Sequence, residues 1–334
     1  MNTEKRNVGG RILAIRGMPQ VITVTIGLLI IFAVFSMLSD NFLSVRNLRN
    51  LMRQAAPILI IGIAQSFVLI TGNIDLSIGS VVGMSCMISA TLMTKGVSPA
   101  NAVGITVLSC LIVGSINGLL VAKCSLPPFI ATLGTMTIAR GIAQIVNNNH
   151  NTDSIGEGAR VFRRLFYYED IGGVYSSVWI AVILWFIFNF ILSNTRTGRH
   201  IYAVGSNIDA ARMSGVNINY TVTAAYLVSA FCSCVAGLIT CAAGGVGTMD
   251  AGNTYELYAV AASVIGGVST LGGQGLLLGT VVGALIWSVL QNGLVMAGAP
   301  VAIRNIAVGI IVVISVLLDI VVRSGKRIRH KKTS

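Results

Sequence analysis

Apolar residues run along this chain in long stretches separated by short polar gaps, without the two-residue alternation of a half-buried strand. Ten such stretches are predicted as helices, near 21–38, 56–71, 77–94, 101–122, 128–147, 176–193, 220–242, 257–271, 275–297 and 302–322. Crossing a hydrocarbon layer takes roughly 20 apolar residues, and only helices or closed barrels satisfy their own backbone there. The pattern therefore predicts an all-α, polytopic membrane helix bundle of about ten transmembrane helices. No hydrophilic stretch is long enough to build a second core. Residues 1–334 read as one transmembrane domain, with short tails over about 1–20 and 323–334.

Composition supports that pattern. Hydrophobic residues make up 54% of the chain and charged residues only 10%, where a soluble domain carries about 25%. A lipid bilayer must cover the remaining surface. The net charge of +12 does not point to nucleic acid, because the basic residues flank apolar runs, as topology signals and anionic-lipid contacts do. The six cysteines lie in or beside apolar segments without a CxxC pair or a Cys/His cluster, so they read as packing residues and no metal site is expected. Lys5, Arg6, Arg11 and Arg16 precede the run from Val21 to Leu38, and no small-residue cleavage site follows; that run is expected to stay as a first span. Ten spans place both termini on one side. Lys123, the 194–219 loop and the basic residues from Arg323 to Lys332 favour the cytoplasm for that side.

Two breaks interrupt the apolar runs, at Thr71-Gly72-Asn73-Ile74-Asp75-Leu76-Ser77 and at Leu271-Gly272-Gly273-Gln274-Gly275. The residues after them, Gly79-Ser80-Val81-Val82-Gly83 and Gly279-Thr280-Val281-Val282-Gly283, match at an offset of 200. Transporters often carry repeats with Gly-interrupted helices at the pathway; chance similarity between Gly-rich helices is the competing reading. Asp75 stands out, because a charge at membrane depth faces a cavity or a partner. Either it caps the third helix, or it acts with Asn73 and Ser77 on a polar substrate. Arg140 needs a counter-charge or a wet cavity, and Glu256 is the candidate partner; the two form either a structural ion pair between helices or part of the substrate pathway. Asn117, Thr135, Gln291 and Asn292 are further pathway candidates that equally suit bonding between helices. On the opposite side from the tails, Arg46, Arg49 and Arg53 recur at helical spacing, and Arg160, Arg163 and Arg164 repeat the pattern. They suit docking of an acidic delivery protein, or lipid headgroups and solvent. Phe166, Tyr167, Tyr168 and Trp179 read as interfacial anchors.

The chain has no G-x-x-x-x-G-K-[ST] sequence, so it is not expected to hydrolyse ATP, and no catalytic residue or bound cofactor is expected. H-E-x-x-H and G-x-S-x-G are also missing, which removes the common hydrolase motifs. Energy for transport must come from a partner or an ion gradient. His150, His200 and His330 fall outside the predicted spans, leaving few groups for a proton relay.

Gly72-Asn73-Ile74-Asp75-Leu76-Ser77-Ile78-Gly79-Ser80 resembles the G-x-D-L-S-x-G-S signature of the ribose/galactose/xylose-type ABC sugar permeases. Pro128-Phe129-Ile130-Ala131-Thr132-Leu133-Gly134 with Arg140-Gly141, the stretch from Thr197 to Val216, and Tyr255-Glu256-Leu257 with Ala261 to Gly267 are similar to the family's later motifs, in order. Ser206 stands where a second glycine is common. The resemblance implies a bacterial inner-membrane importer subunit for a monosaccharide. It implies a second permease copy in a homodimer, a cytosolic ABC ATPase that binds ATP and Mg, and a periplasmic sugar-binding protein. It further implies that the 194–219 loop holds the helix coupling the permease to its ATPase, with Arg199, Gly205, Ser206, Asn207, Asp209, Ala210, Arg212, Ser214 and Gly215 as candidates; an ordinary solvated loop is the plainer reading. Asn207 is placed to cap that helix. An ion-coupled secondary transporter of a small polar solute is the alternative function.

Overall fold

The computed structural model describes residues 18–317, apart from 308 and 315. The basic tails lie outside the described residues. The helices are α1 (Met18–Leu38), α2 (Val45–Ile70), α3 (Ile78–Thr94), α4 (Pro99–Ala122), α5 (Pro128–Ile145), α6 (Ser176–Asn194), α7 (Arg196–Ser206), α8 (Ile208–Met213), α9 (Ile218–Gly244), α10 (Tyr255–Ile265) and α11 (Leu277–Met296). A further helical segment covers Val301–Ile314. Among the described residues the strands are a two-residue hairpin, β1 (Asp170–Ile171) and β2 (Val174–Tyr175), beside a helical segment over 157–168.

Each predicted stretch holds a helix, but the lengths differ from expectation. Six helices (α1, α2, α4, α6, α9 and α11) are long and apolar enough to cross a membrane; α3, α10 and Val301–Ile314 are shorter. Two boundaries need correction. α2 begins at Val45, well before the expected residue 56, because the Ser44 side chain accepts the Asn47 N–H and starts the helix under its arginines. α10 ends at Ile265 rather than 271, because Gly266-Gly267 follow and Gly267 sits at φ +90°, where the chain turns back.

α2 is the axis of the bundle. From Ala55 to Ile70 every residue is buried except Pro57, and α6, α9, α10 and α11 all pack on it. Small residues set the spacing. A Cβ on Gly62 would lie 2.9 Å from Thr280 Cγ2, and one on Gly118 of α4 would lie 2.7 Å from the Thr223 Cα of α9. The outer helices instead expose Leu29, Ile30, Phe186 and Phe190, as lipid-facing surfaces do. The 26 residues of α2 rise about 39 Å, more than the roughly 30 Å hydrocarbon layer, so its ends lie at opposite faces of the bundle.

Both breaks exist, and they meet. A Cβ on Gly272 would lie 2.9 Å from the Gly72 Cα, and the N–H of Gly273 donates to the Ile70 carbonyl at 2.8 Å. The helix pairs flanking the breaks are not packed alike. α10 and α11 lie backbone to backbone where Gly266 meets Gly279 and Gly283 meets Ala262, whereas α2 and α3 hardly touch.

Candidate functional site

At the first break Gly72 takes φ +81° and lets the chain leave α2 sharply. The following turn carries Asp75, 2% exposed. Its Oδ1 accepts the Ser77 N–H (2.9 Å) and the Ser77 hydroxyl (2.6 Å), and its Oδ2 accepts the Ser229 hydroxyl of α9 (2.7 Å). The Asn117 amide of α4 donates to Ser77 Oγ at 2.9 Å, and Thr135 of α5 donates to Asn117 Oδ1 at 2.6 Å. The Tyr226 hydroxyl of α9 holds the Ile74 carbonyl at 3.0 Å. Four of the expected pathway residues thus form one buried chain that ties three helices to the break. The side chain of Asp75 braces the turn before α3 and does not reach the helix's deeper N–H groups. Asn73 lies to one side, donating to Thr71 Oγ1 at 2.8 Å.

Arg140 and Glu256 both approach the Gly79–Gly83 face of α3. The expected ion pair is not formed, because Arg140 Nη1 donates to the Met249 and Ala251 carbonyls at 2.8 and 2.9 Å. The glycines are required here. A Cβ on Gly83 would lie 2.6 Å from the Ala251 carbonyl and 2.7 Å from Arg140 Nη1, and one on Gly79 would meet the Glu256 carboxylate. The face thus seats the 249–256 segment, with Ala251 and Gly252 buried against it and Asp250 and Asn253 exposed.

Gln291 and Asn292 belong to the other end of α2. Asn292 and Asn47 exchange amide hydrogen bonds of 3.0 Å in both directions. Gln291 lines a cavity of about 270 Å³ with Arg53, Gln54, Tyr167, Tyr258 and Trp287. Tyr167 faces this cavity, whereas the indole N–H of Trp179 donates to the Ile171 carbonyl.

Several of the arginines on this side are engaged within the chain. Arg49 pairs with Asp170, Arg53 lies 4.6 and 4.5 Å from the Tyr167 and Tyr175 ring centroids, and Arg163 donates to the Ala242 carbonyl at 3.3 Å. These three fasten the 157–175 segment onto α2 and α9. Arg46, Arg160 and Arg164 remain exposed. Arg164 donates to both Glu169 oxygens and holds that carboxylate below its ordinary range.

At the opposite end the 194–219 loop forms two helices, α7 and α8. Thr195 and Asn207 start them: Asn207 Oδ1 accepts the Asp209 and Ala210 N–H groups at 3.0 and 2.9 Å, as expected of a cap. Arg199, Gly205 and Ser206 lie on α7, Asp209, Ala210 and Arg212 on α8, and Ser214 and Gly215 close α8 at φ +80° on Gly215. Asp209 and Arg212 face solvent 3.8 Å apart, and Met213 is 91% exposed. α7 borders a cavity of about 540 Å³ shared with Gly266, Gly267 and the second break.

Several site residues escaped the sequence reading. Ser229 completes the Asp75 network. Ser66 bonds Ser263 (3.1 Å) and Thr280 (2.8 Å) inside the bundle. Gln65 is fully buried and its amide finds no hydrogen-bond partner among the described residues. Polar residues within apolar runs were the available signal; their partners lie far away in sequence.

Residues 47–316 match the family described as the branched-chain amino acid transport system / permease component. The ribose import permease protein RbsC of Haemophilus influenzae is 35% identical over 295 residues, covering 88% of this chain and 91% of that protein. RbsC of Bacillus subtilis is 35% identical over 321 residues, covering 96% and 98%. The D-allose transport system permease protein AlsC of Escherichia coli is 34% identical over 299 residues, covering 87% and 89%. No solved structure matches. The family match over residues 47–316, with relatives 35% identical over most of both chains, places the chain in the branched-chain amino acid/ribose permease family of ABC transporters.

Proposed function

We propose that the chain is the membrane-spanning permease subunit of a binding-protein-dependent ABC importer, carrying a ribose-like pentose or a hexose into the cytoplasm. The observation that carries this reading is end-to-end similarity to import permeases for ribose and allose. In this reading the protein sits in a bacterial inner membrane with both termini cytoplasmic, pairs with a second copy, and works by alternating access driven by a cytosolic ATPase. The solvent-facing α8, with Asp209, Arg212 and Met213 projecting from it, suits a helix that seats in that ATPase. Reconstitution with the ATPase and the binding protein is expected to give ribose or hexose uptake that needs internal ATP. Uptake by the permease alone, driven by a proton or sodium gradient, would sink the proposal in favour of an ion-coupled transporter. The Asp75 network argues against that alternative, because its carboxylate already accepts three hydrogen bonds and is sealed from water.

The exposed outer arginines belong to the same proposal. Arg46→Glu together with Arg160→Glu is expected to raise the binding-protein concentration giving half-maximal uptake by about tenfold, through lost charge complementarity. Arg53→Ala is expected instead to loosen the 157–175 segment, seen as faster proteolysis there. An unchanged binding-protein dependence in the double variant would remove these residues from the docking surface.

A further inference from the structure

Gly205, at the last turn of α7, is the point where the loop touches both helix breaks. A Cβ there would collide with the Ile70 carbonyl, at the end of α2, and would lie 2.6 Å from the Gly273 nitrogen in the second break. The contact is reciprocal. A Cβ on Gly272 would lie 2.8 Å from the Gly205 carbonyl, and one on Gly273 would lie 2.8 Å from the Ser206 Cα. Gly272 and Gly273 both adopt left-handed backbone, φ +85° and +70°, so the crowding follows from backbone packed on backbone. The Gly273-to-Ile70 hydrogen bond closes the same junction, and the Tyr202 hydroxyl of α7 adds a tie to the Gly275 carbonyl at 2.7 Å.

We infer that Gly205 is a positioning residue that joins the α7–α8 loop to both breaks at once, so that displacement of the loop moves the end of α2 and the turn before α11 together. This rests on the importer reading above, in which the loop receives the ATPase's motion. Three segments in direct backbone contact leave little compliance, unlike a contact through long side chains, which would absorb a small shift by changing rotamer. Gly205 touches no substrate in this scheme; it sets how much transport each ATP produces.

The test uses the full permease–ATPase complex in proteoliposomes with the binding protein, and measures ATP hydrolysed per sugar imported, complex recovery and the melting midpoint. Gly205→Ala is expected to leave the complex and its hydrolysis in place while uptake falls, raising ATP per sugar about tenfold. Tyr202→Phe adds no bulk and removes one tie; it is expected to raise ATP per sugar about threefold at an unchanged midpoint. Gly104→Ala, the same change in α4 with ordinary helical backbone and open space around it, is expected to leave the ratio near wild type. If Gly205→Ala does not fold, Tyr202→Phe decides. A wild-type ratio in Tyr202→Phe, or hydrolysis and uptake falling in equal measure, would overturn the joint. A wild-type complex showing no ATP-driven uptake would overturn the importer reading and the joint with it, before any variant is compared.

Discussion

Asp75→Ala is expected to remove most folded permease from the membrane. The substitution deletes the acceptor for the Ser77 N–H, the Ser77 hydroxyl and the Ser229 hydroxyl. Ser229 can turn to a carbonyl one turn back in α9, as Ser233 does. The two Ser77 donors have no such route, and unmet buried donors cost about 3 kcal/mol together. Thermal melting in detergent and abundance in membranes check this. Asp75→Asn keeps an oxygen facing Ser77, and its amide can donate to Ser229 Oγ. It is expected to cost about 1 kcal/mol and to keep sugar uptake within a few-fold of wild type. An Asn variant that folds fully but transports nothing would show that the charge itself takes part in transport.

Gly279→Val has the next largest expected effect. Its Cβ would strike the Gly266 carbonyl, and Gly266 in turn has no room beside Gly279. Either α10 or α11 must move, and the second break lies between them. Overpacking of this kind costs about 3 kcal/mol at its upper range, and close helix approach through small residues leaves no side chain to adjust. Gly134→Val is the control, since nothing lies within 4 Å of a Cβ there; it is expected to melt like wild type. Equal stability of the two variants would mean that the α10–α11 contact is not tight in the membrane.

The helices and both breaks were legible because each signal is local: an apolar run, a glycine at a turn, or a cap such as Asn207 two residues before the N–H it binds. The start of α2 was not. Arg46, Arg49 and Arg53 recur at helical spacing, but their charges set them apart from the apolar run that marks the helix, and only the fold shows Arg49 and Arg53 turned onto Asp170, Tyr167 and Tyr175. The candidate site was half legible. Asp75, Ser77, Asn117 and Thr135 could be nominated as polar residues in apolar company, and they assemble. Ser229 could not be matched to Asp75, because a span buried on every side has no polar stripe to say which neighbour it faces. Arg140 and Glu256 looked like partners by charge, yet backbone carbonyls from 249–251 reach the guanidinium. A loop carbonyl leaves no mark in a sequence.

Pro57 gives α2 one further property. Lacking an N–H, it leaves the Arg53 carbonyl without its usual helical donor, at the level where burial on all sides begins. That missing rung divides the helix into an arginine-bearing arm, held by the 157–175 segment, and an arm wedged among its neighbours as far as Ile70.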